Sequence, residues 1–118
     1  MPYIEVVTNA KLEKASCDKL NETLGKLIEI IPGKTENWLM IHLEDEAKLC
    51  FAGDSETPAA IATLKAFGRE LSAECYDELT RAMTEKCTAL LGVSPERFYV
   101  EYESTTHWGW NGKNFQLK

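Results

Sequence analysis

The sequence has no long apolar run, and its start does not resemble a signal peptide. No apolar stretch among the 118 residues approaches the roughly 20 that a membrane-spanning helix needs. The opening MPYIEVVTNA contains Glu5 and alternates in polarity, so it lacks the basic start and continuous apolar segment of a secretory leader. We therefore expect no membrane insertion and a cytoplasmic protein.

The sequence also lacks cysteine pairs at metal or redox spacing. Neither His42 nor His107 joins a cysteine at a ligand spacing typical of zinc sites. We interpret the cysteines as reduced and mostly buried thiols, and we expect no metal and no cofactor. They stand at Cys17, Cys50, Cys75 and Cys87.

An excess of basic charge is absent as well. The formal net charge is −6 at pH 7, so the average field of the protein repels phosphate backbones and anionic lipids. This argues against nucleic acid as a partner. An anionic substrate would need a local basic group.

The apolar pattern that is present predicts a single domain over residues 1–118, with a core large enough to need no disulfide. Alternation over Pro2–Asn9 predicts a strand, and helical spacing from about Glu13 predicts a helix that ends before Pro32. Asn37–Glu44 predicts a second strand, followed by a hairpin through EDEAK into LCFAG.

The second half of the chain repeats this plan. Pro58–Phe67 is alanine-rich, yet the repeat favours a strand there, followed by a helix from about Glu70 to Leu91. The segment SPERFYVEYES then superposes on KTENWLMIHLE, with Phe98 falling on Trp38. We predict an α+β fold in which two β-α-β units form a four-stranded mixed sheet with both helices on one face.

One face of this predicted sheet has no helix to cover it. We expect apolar side chains from at least two strands on that face, and such a face needs a partner. The pattern therefore favours an oligomer.

Five segments together resemble one family. They are MPYIEVVTNA, GKTENWLMIHLED, LCFAGDSETPAAI, SPERFYVEYES and WGWNGKNF, in this order. The chain resembles the macrophage migration inhibitory factor family of the tautomerase superfamily over essentially its whole length. The resemblance implies a homotrimer with active sites at subunit interfaces, and keto-enol tautomerase activity on 2-keto acid or enol substrates of the phenylpyruvate or dopachrome type.

The resemblance also implies the site residues. Pro2 would be the catalytic base once Met1 is removed, because the pKa of an α-amino group, about 7.7 to 8.0, falls in an apolar pocket beside a cation. That cation would be Lys34, Phe67 would offer its backbone N–H, and Tyr99 would arrive from a neighbouring subunit. The matching aromatic wall positions are Trp38, Trp108, Trp110 and Phe115.

Two positions depart from the family pattern. Ala59 and Ala62 stand where the mammalian member has a C-x-x-C pair, so thiol-disulfide oxidoreductase activity is not implied. Glu101 stands where an uncharged asparagine is usual, and it would enter the pocket with Tyr99 because residues two apart on a strand share a face. It would either repel anionic substrates or pair with Lys34 or another cation, in which case it would be electrically silent and could hold Lys34 in place.

Other interpretations remain open from the residues. Taken alone, Pro2 is more often a strand start and Lys34 a solvated turn lysine. The same fold could serve a cytokine-like protein with a vestigial pocket, secreted without a signal peptide and bound by a cell-surface receptor. Another proline-based reaction, such as decarboxylation or dehalogenation, is a third alternative.

Overall fold

The computed structural model describes all residues from 1 to 118. The chain forms six strands and two α-helices, with short 3-10 turns before or after several of them. Their bounds are β1 (Pro2–Thr8), α1 (Lys14–Leu27), 3-10 turns at Ile28–Ile30 and Glu36–Trp38, β2 (Met40–Glu44), β3 (Ala60–Phe67), α2 (Ala73–Leu91), a 3-10 turn at Pro95–Arg97, β4 (Phe98–Thr105), β5 (His107–Trp110) and β6 (Lys113–Gln116).

The first four strands form one mixed sheet in the order β2-β1-β3-β4. β1 is parallel to β2 and antiparallel to β3, and β3 is parallel to β4. Each parallel pair is joined through a helix, because parallel neighbours need a long crossover connection. This confirms the predicted α+β fold with two β-α-β units.

The core lies between this sheet and the two helices. Alternate strand residues such as Ile4 and Leu64 are buried together with Leu24 of α1 and Met83 of α2. The two helices also contact each other. Both helices therefore cover the same face of the sheet, as predicted.

The helix ends differ slightly from the predicted bounds. α2 begins at Ala73, later than predicted, because the Ser72 hydroxyl accepts a hydrogen bond from the Cys75 N–H at 3.1 Å and caps the helix. It ends at Leu91, as predicted, and is followed by Gly92, whose φ of 68° is the left-handed conformation that glycine adopts without strain. α1 gives way to 3-10 geometry at Ile28.

The internal repeat is visible in the turns that precede the parallel edge strands. Glu36–Trp38 forms a 3-10 turn before β2, and Pro95–Arg97 forms the equivalent turn before β4. The predicted strand from Asn37 therefore starts later, at Met40, because its first two residues, Asn37 and Trp38, belong to the turn. The alanine-rich segment is a strand, as the repeat indicated, from Ala60.

The predicted hairpin after β2 is wrong. Residues 45–59 form a loop whose only strand-like contact is the bridge between Phe51 and Asp54. Glu46 has a φ of 52°, which breaks the extended conformation. The N–H groups of Glu46 and Ala47 donate to carbonyls at and after the end of β1, so they are not available to pair with β2.

The face of the sheet opposite the helices carries apolar side chains from at least two strands, as predicted, among them the exposed Met40 of β2 and Tyr99 of β4. A polar row crosses its middle, with His42, Glu5, Thr63 and Glu101 on successive strands. The Tyr3 hydroxyl donates to the Glu5 carboxylate at 3.2 Å. The middle of this face is therefore polar, and the apolar side chains that favour an oligomer lie toward its two ends.

The C-terminal strands form a separate hairpin that was not predicted. β5 and β6 are antiparallel and do not join the four-stranded sheet. Their turn contains Asn111 and Gly112 with φ of 51° and 76°, as a type I′ turn requires. The Asn-Gly pair was the available signal, since it is a strong short-range hairpin indicator.

Candidate active site

The start of β1 meets the end of β3, and this places Pro2 beside two other predicted site residues. Pro2 pairs with Ala66 in the antiparallel register and is buried. The Phe67 N–H donates to the Met1 carbonyl at 3.3 Å, and the Lys34 Nζ donates to the Phe67 carbonyl at 2.9 Å. Three predicted residues therefore meet around the first peptide bond.

The turn after α1 delivers Lys34 to this point. The Lys34 N–H donates to the Ile31 carbonyl at 3.1 Å, closing a turn through Pro32 and Gly33. Gly33 has a φ of 79°, a conformation that other residues rarely adopt. The tight turn points the lysine side chain back toward the end of β3.

The amine at this chain start is electrostatically unusual. Burial lowers the pKa of the Met1 ammonium to about 6, helped by the positive charge of Lys34 and a hydrogen bond with it. An amine at this position is therefore mostly neutral at physiological pH, which a general base requires.

An aromatic groove of about 670 Å³ lies on one side of Pro2. Trp38 from the turn before β2 contacts Trp110 from β5 edge to face, with ring centroids 5.0 Å apart, and Phe115 lies behind Trp110 at 6.4 Å. The groove is lined by Met1, Pro2, Tyr3, Asn37, Trp38, Leu39, Met40, Lys65, Trp108, Gly109 and Trp110.

Lys34 and Phe67 line a second, smaller cavity of about 180 Å³. Tyr76, Tyr102 and Arg69 also line it, whereas the three tryptophans do not. The residues predicted to form one pocket are thus divided between the aromatic groove and the smaller cavity. Met1 lies where the two spaces approach each other, since it lines the groove and hydrogen-bonds to Phe67.

Tyr99 and Glu101 lie away from Pro2 within one chain. Tyr99 pairs with Ile61, which pairs with Val7, so it is separated from Pro2 by five residues along β1, or about 17 Å. Its ring is 60% exposed and contacts Phe51 edge to face at 5.3 Å. Tyr99 cannot reach the Pro2 of its own chain.

Arg97 supports the loop that carries Phe51, a role that the sequence motif alone did not reveal. Its guanidinium and Nε donate to four backbone carbonyls between residues 51 and 58, and it lies 5.2 Å above the Phe51 ring. Asp54 caps the same loop, and its hydrogen bonds with Thr57 lower the pKa of its carboxyl to about 2. Both side chains hold Phe51 against Tyr99.

Other reactive side chains form no second site. No group of three or more His, Cys, Asp or Glu side chains could hold a metal ion. The four cysteines form no disulfide, and only Cys87 is buried, so the expectation of mostly buried thiols is wrong. Neither helix is long and apolar enough to cross a membrane.

Comparisons with known proteins cover almost the whole chain. Residues 1–116 match the family model described as macrophage migration inhibitory factor. The macrophage migration inhibitory factor homolog of Trichuris trichiura is 29% identical over 124 residues, which is 98% of this chain and 100% of the homolog. The structure of Leishmania major MIF2 is 30% identical, covers 98% of this chain and 97% of its own, and superposes with a TM-score of 0.88.

A more distant structure shows the fold alone. Pt0534, crystallised after inactivation by 2-oxo-3-pentynoate, is 16% identical with a TM-score of 0.81, and the match covers 93% of each chain. Together these matches confirm the resemblance that the five sequence segments predicted.

Proposed function

This chain belongs to the macrophage migration inhibitory factor family, and from that membership we propose that it is a keto-enol tautomerase of 2-keto acids. The base is the secondary amine of Pro2, set free by removal of Met1. The observation that carries the proposal is the environment of the chain start, where burial and Lys34 lower the pKa of the Met1 amine to about 6. A free Pro2 nitrogen would stand one residue further along the same strand, beside the same lysine.

The reaction needs one proton to move between carbon and oxygen. The neutral Pro2 nitrogen removes a proton from the carbon beside the keto group, so a C–H bond breaks and an N–H bond forms. Negative charge then develops on the former keto oxygen. The protonated amine returns its proton to that oxygen, which gives the enol and regenerates the base.

Two groups could stabilise this developing charge. The Lys34 ammonium has three donors, and the Phe67 carbonyl accepts one of them, so two remain for a substrate. The Phe67 N–H is held by the Met1 carbonyl and becomes free when Met1 is removed. Preorganised donors of this kind act strongly where water is excluded.

Removal of Met1 would also connect the two cavities. Met1 lines the aromatic groove, whereas its carbonyl contacts Phe67 and its amine contacts Lys34 on the other side. In the processed chain an aryl ring could lie along Trp38 and Trp110 while the keto acid reaches Lys34. This matches an aryl-pyruvate, which is flat and apolar at one end and anionic at the other.

The processed chain should convert phenylpyruvate between its keto and enol forms, which an absorbance assay of the enol follows directly. A sample proved by intact mass to lack Met1, yet without turnover of any aryl-pyruvate, would contradict the proposed function. The reagent 2-oxo-3-pentynoate offers a second readout, because addition of the Pro2 amine to its alkyne would leave a covalent mass on the first peptide.

We expect the chain to form a homotrimer, because Tyr99 is about 17 Å from its own Pro2 and can serve only a neighbour's site. Light scattering should give a mass three times that of the 13.3 kDa chain. Tyr99→Phe should lower kcat/KM for phenylpyruvate several-fold, since it removes one hydrogen bond, and leave the mass unchanged. A fully active monomer would contradict the shared site.

Replacing Glu101 by Asn should raise kcat/KM for phenylpyruvate several-fold and change that for its methyl ester little. In a trimer Glu101 would enter the neighbour's site with Tyr99, and its carboxylate would repel the substrate carboxylate. A hydrogen bond with Glu103 and repulsion between the two carboxylates raise the pKa of Glu101. Lys34 is bound to the Phe67 carbonyl, so it does not pair with Glu101 within the chain.

The control for this substitution is Glu44→Gln, which removes an acid from the same face at the far edge of the sheet. It should leave both substrates unaffected. Equal changes for the acid and the ester, or loss of activity on both, would reject repulsion by Glu101.

A further inference from the structure

The aromatic groove contains one charged side chain, and it was not among the residues predicted from the sequence. Lys65 lines the groove together with Pro2 and the three tryptophans. It lies opposite Tyr3 in the antiparallel register, immediately before Ala66, which pairs with Pro2. Only the register of β1 against β3 brings it there, so its position in the sequence gave no signal.

Lys65 forms no ion pair within 4 Å in the chain, although its positive charge acts on Glu101 and partly offsets the rise that Glu103 causes in the pKa of that carboxyl. Glu103 lies beside it on β4, but the Glu103 carboxylate hydrogen-bonds with Glu101. Neither acid forms an ion pair with Lys65, although both stand on the same face. The ammonium is therefore exposed and free to meet a ligand, in a protein whose net charge is −6.

The two lysines near Pro2 lie on different sides of it. Lys34 lines the small cavity and Lys65 lines the groove. A ligand that extends from Lys34 past Pro2 into the groove would thus meet a second cation there. This arrangement fits a molecule with an acidic group at both ends and an aromatic ring between them.

We propose that Lys65 determines specificity by binding a second anionic group, so that the substrates are aryl 2-keto acids whose ring carries a further carboxylate. The proposal rests on the tautomerase function proposed above and names its substrate class. In this proposal the Pro2 nitrogen moves the proton, and Lys65 only binds the second carboxylate. Such binding is equal in the ground state and the transition state, so it lowers KM and leaves kcat unchanged.

The test compares phenylpyruvate with 4-carboxyphenylpyruvate on the processed, full-length protein. Lys65→Gln should raise the KM for the dianionic substrate roughly 3- to 5-fold, which is the change expected from losing one exposed ion pair. The KM for phenylpyruvate should stay the same. Lys65→Arg should retain the preference. Added salt should reduce the difference between the two substrates, because exposed charges are screened.

The matched control is Lys113→Gln, which removes the same charge from the hairpin opposite Trp110 without lining the groove. It should leave the substrate preference unchanged. Equal effects of Lys65→Gln on both substrates, or no effect on either, would overturn the proposal.

A binding measurement separates this proposal from the tautomerase function. Titration of 4-carboxycinnamate and cinnamate, followed by NMR, requires no turnover. Weaker binding of only the dicarboxylate to Lys65→Gln would support the role of Lys65 even in a protein that converts neither keto acid. Equal binding of the dicarboxylate to both proteins would overturn it, whatever the turnover assay shows.

Discussion

Protein that retains Met1 should convert phenylpyruvate about 10² to 10⁴ times more slowly than processed protein, the usual contribution of a general base. While Met1 is attached, the Pro2 nitrogen belongs to a planar amide and its electron pair is delocalised, so it cannot accept a proton. The Met1 carbonyl also occupies the Phe67 N–H. Retention therefore removes the base and one oxygen-binding donor together.

The measurement is kcat/KM for phenylpyruvate on samples whose state is proved by intact mass. A variant with one alanine inserted between Met1 and Pro2 is the matched control, because its Pro2 nitrogen stays acylated whether or not Met1 is removed. It should be as slow as the unprocessed protein. Undiminished activity of either would show that another group is the base, and the Met1 amine, with its pKa of about 6, would be the first alternative.

Replacing Arg97 by Gln should lower the free energy of unfolding by about 2 to 3 kcal/mol, the range for hydrogen bonds made by a charged group. The Arg97 side chain is only 13% exposed and donates to the carbonyls of Phe51, Asp54, Thr57 and Pro58. Glutamine is shorter and has fewer donors, so most of these carbonyls would lose their partner.

Chemical denaturation followed by far-ultraviolet circular dichroism measures this effect, at one protein concentration because oligomer stability depends on it. The control is Arg81→Gln on the exposed face of α2, where no ion pair or hydrogen bond is made, and it should change stability by about 0.5 kcal/mol or less. Equal stability of the two variants would show that the Arg97 contacts contribute little. If the folded Arg97→Gln protein also shows a lower kcat/KM for phenylpyruvate, the result would indicate that Phe51 positions Tyr99.

The spacing of apolar residues predicted the strands and helices whose buried side chains form the core. Alternation identified β1, and helical spacing identified both helices, because these residues form the core. The repeat correctly overruled helix propensity in the alanine-rich β3, where small residues are buried beneath the helices. The predicted hairpin after β2 was wrong because its apolar residues, including Phe51, pack against Arg97 and Tyr99 and do not pair as a strand.

The site was predictable only as far as single residues could be matched to family motifs. Lys34 and Phe67 do meet at the chain start, but that contact depends on the antiparallel register of β1 and β3. The same register places Lys65 in the groove and separates Tyr99 from Pro2. No tight turn joins β1 to β3, since α1 and β2 lie between them, so no local turn signal in the sequence fixes this register.

All three tryptophans of the chain line the same groove. The intrinsic tryptophan fluorescence of the protein therefore arises from one place, where the C-terminal hairpin meets the turn before β2. A denaturation curve recorded by tryptophan emission follows the separation of these two segments, whereas circular dichroism follows α1 and α2. Because coincident transitions by different probes are the test of two-state unfolding, this unlabelled chain can show whether its groove and its core come apart together.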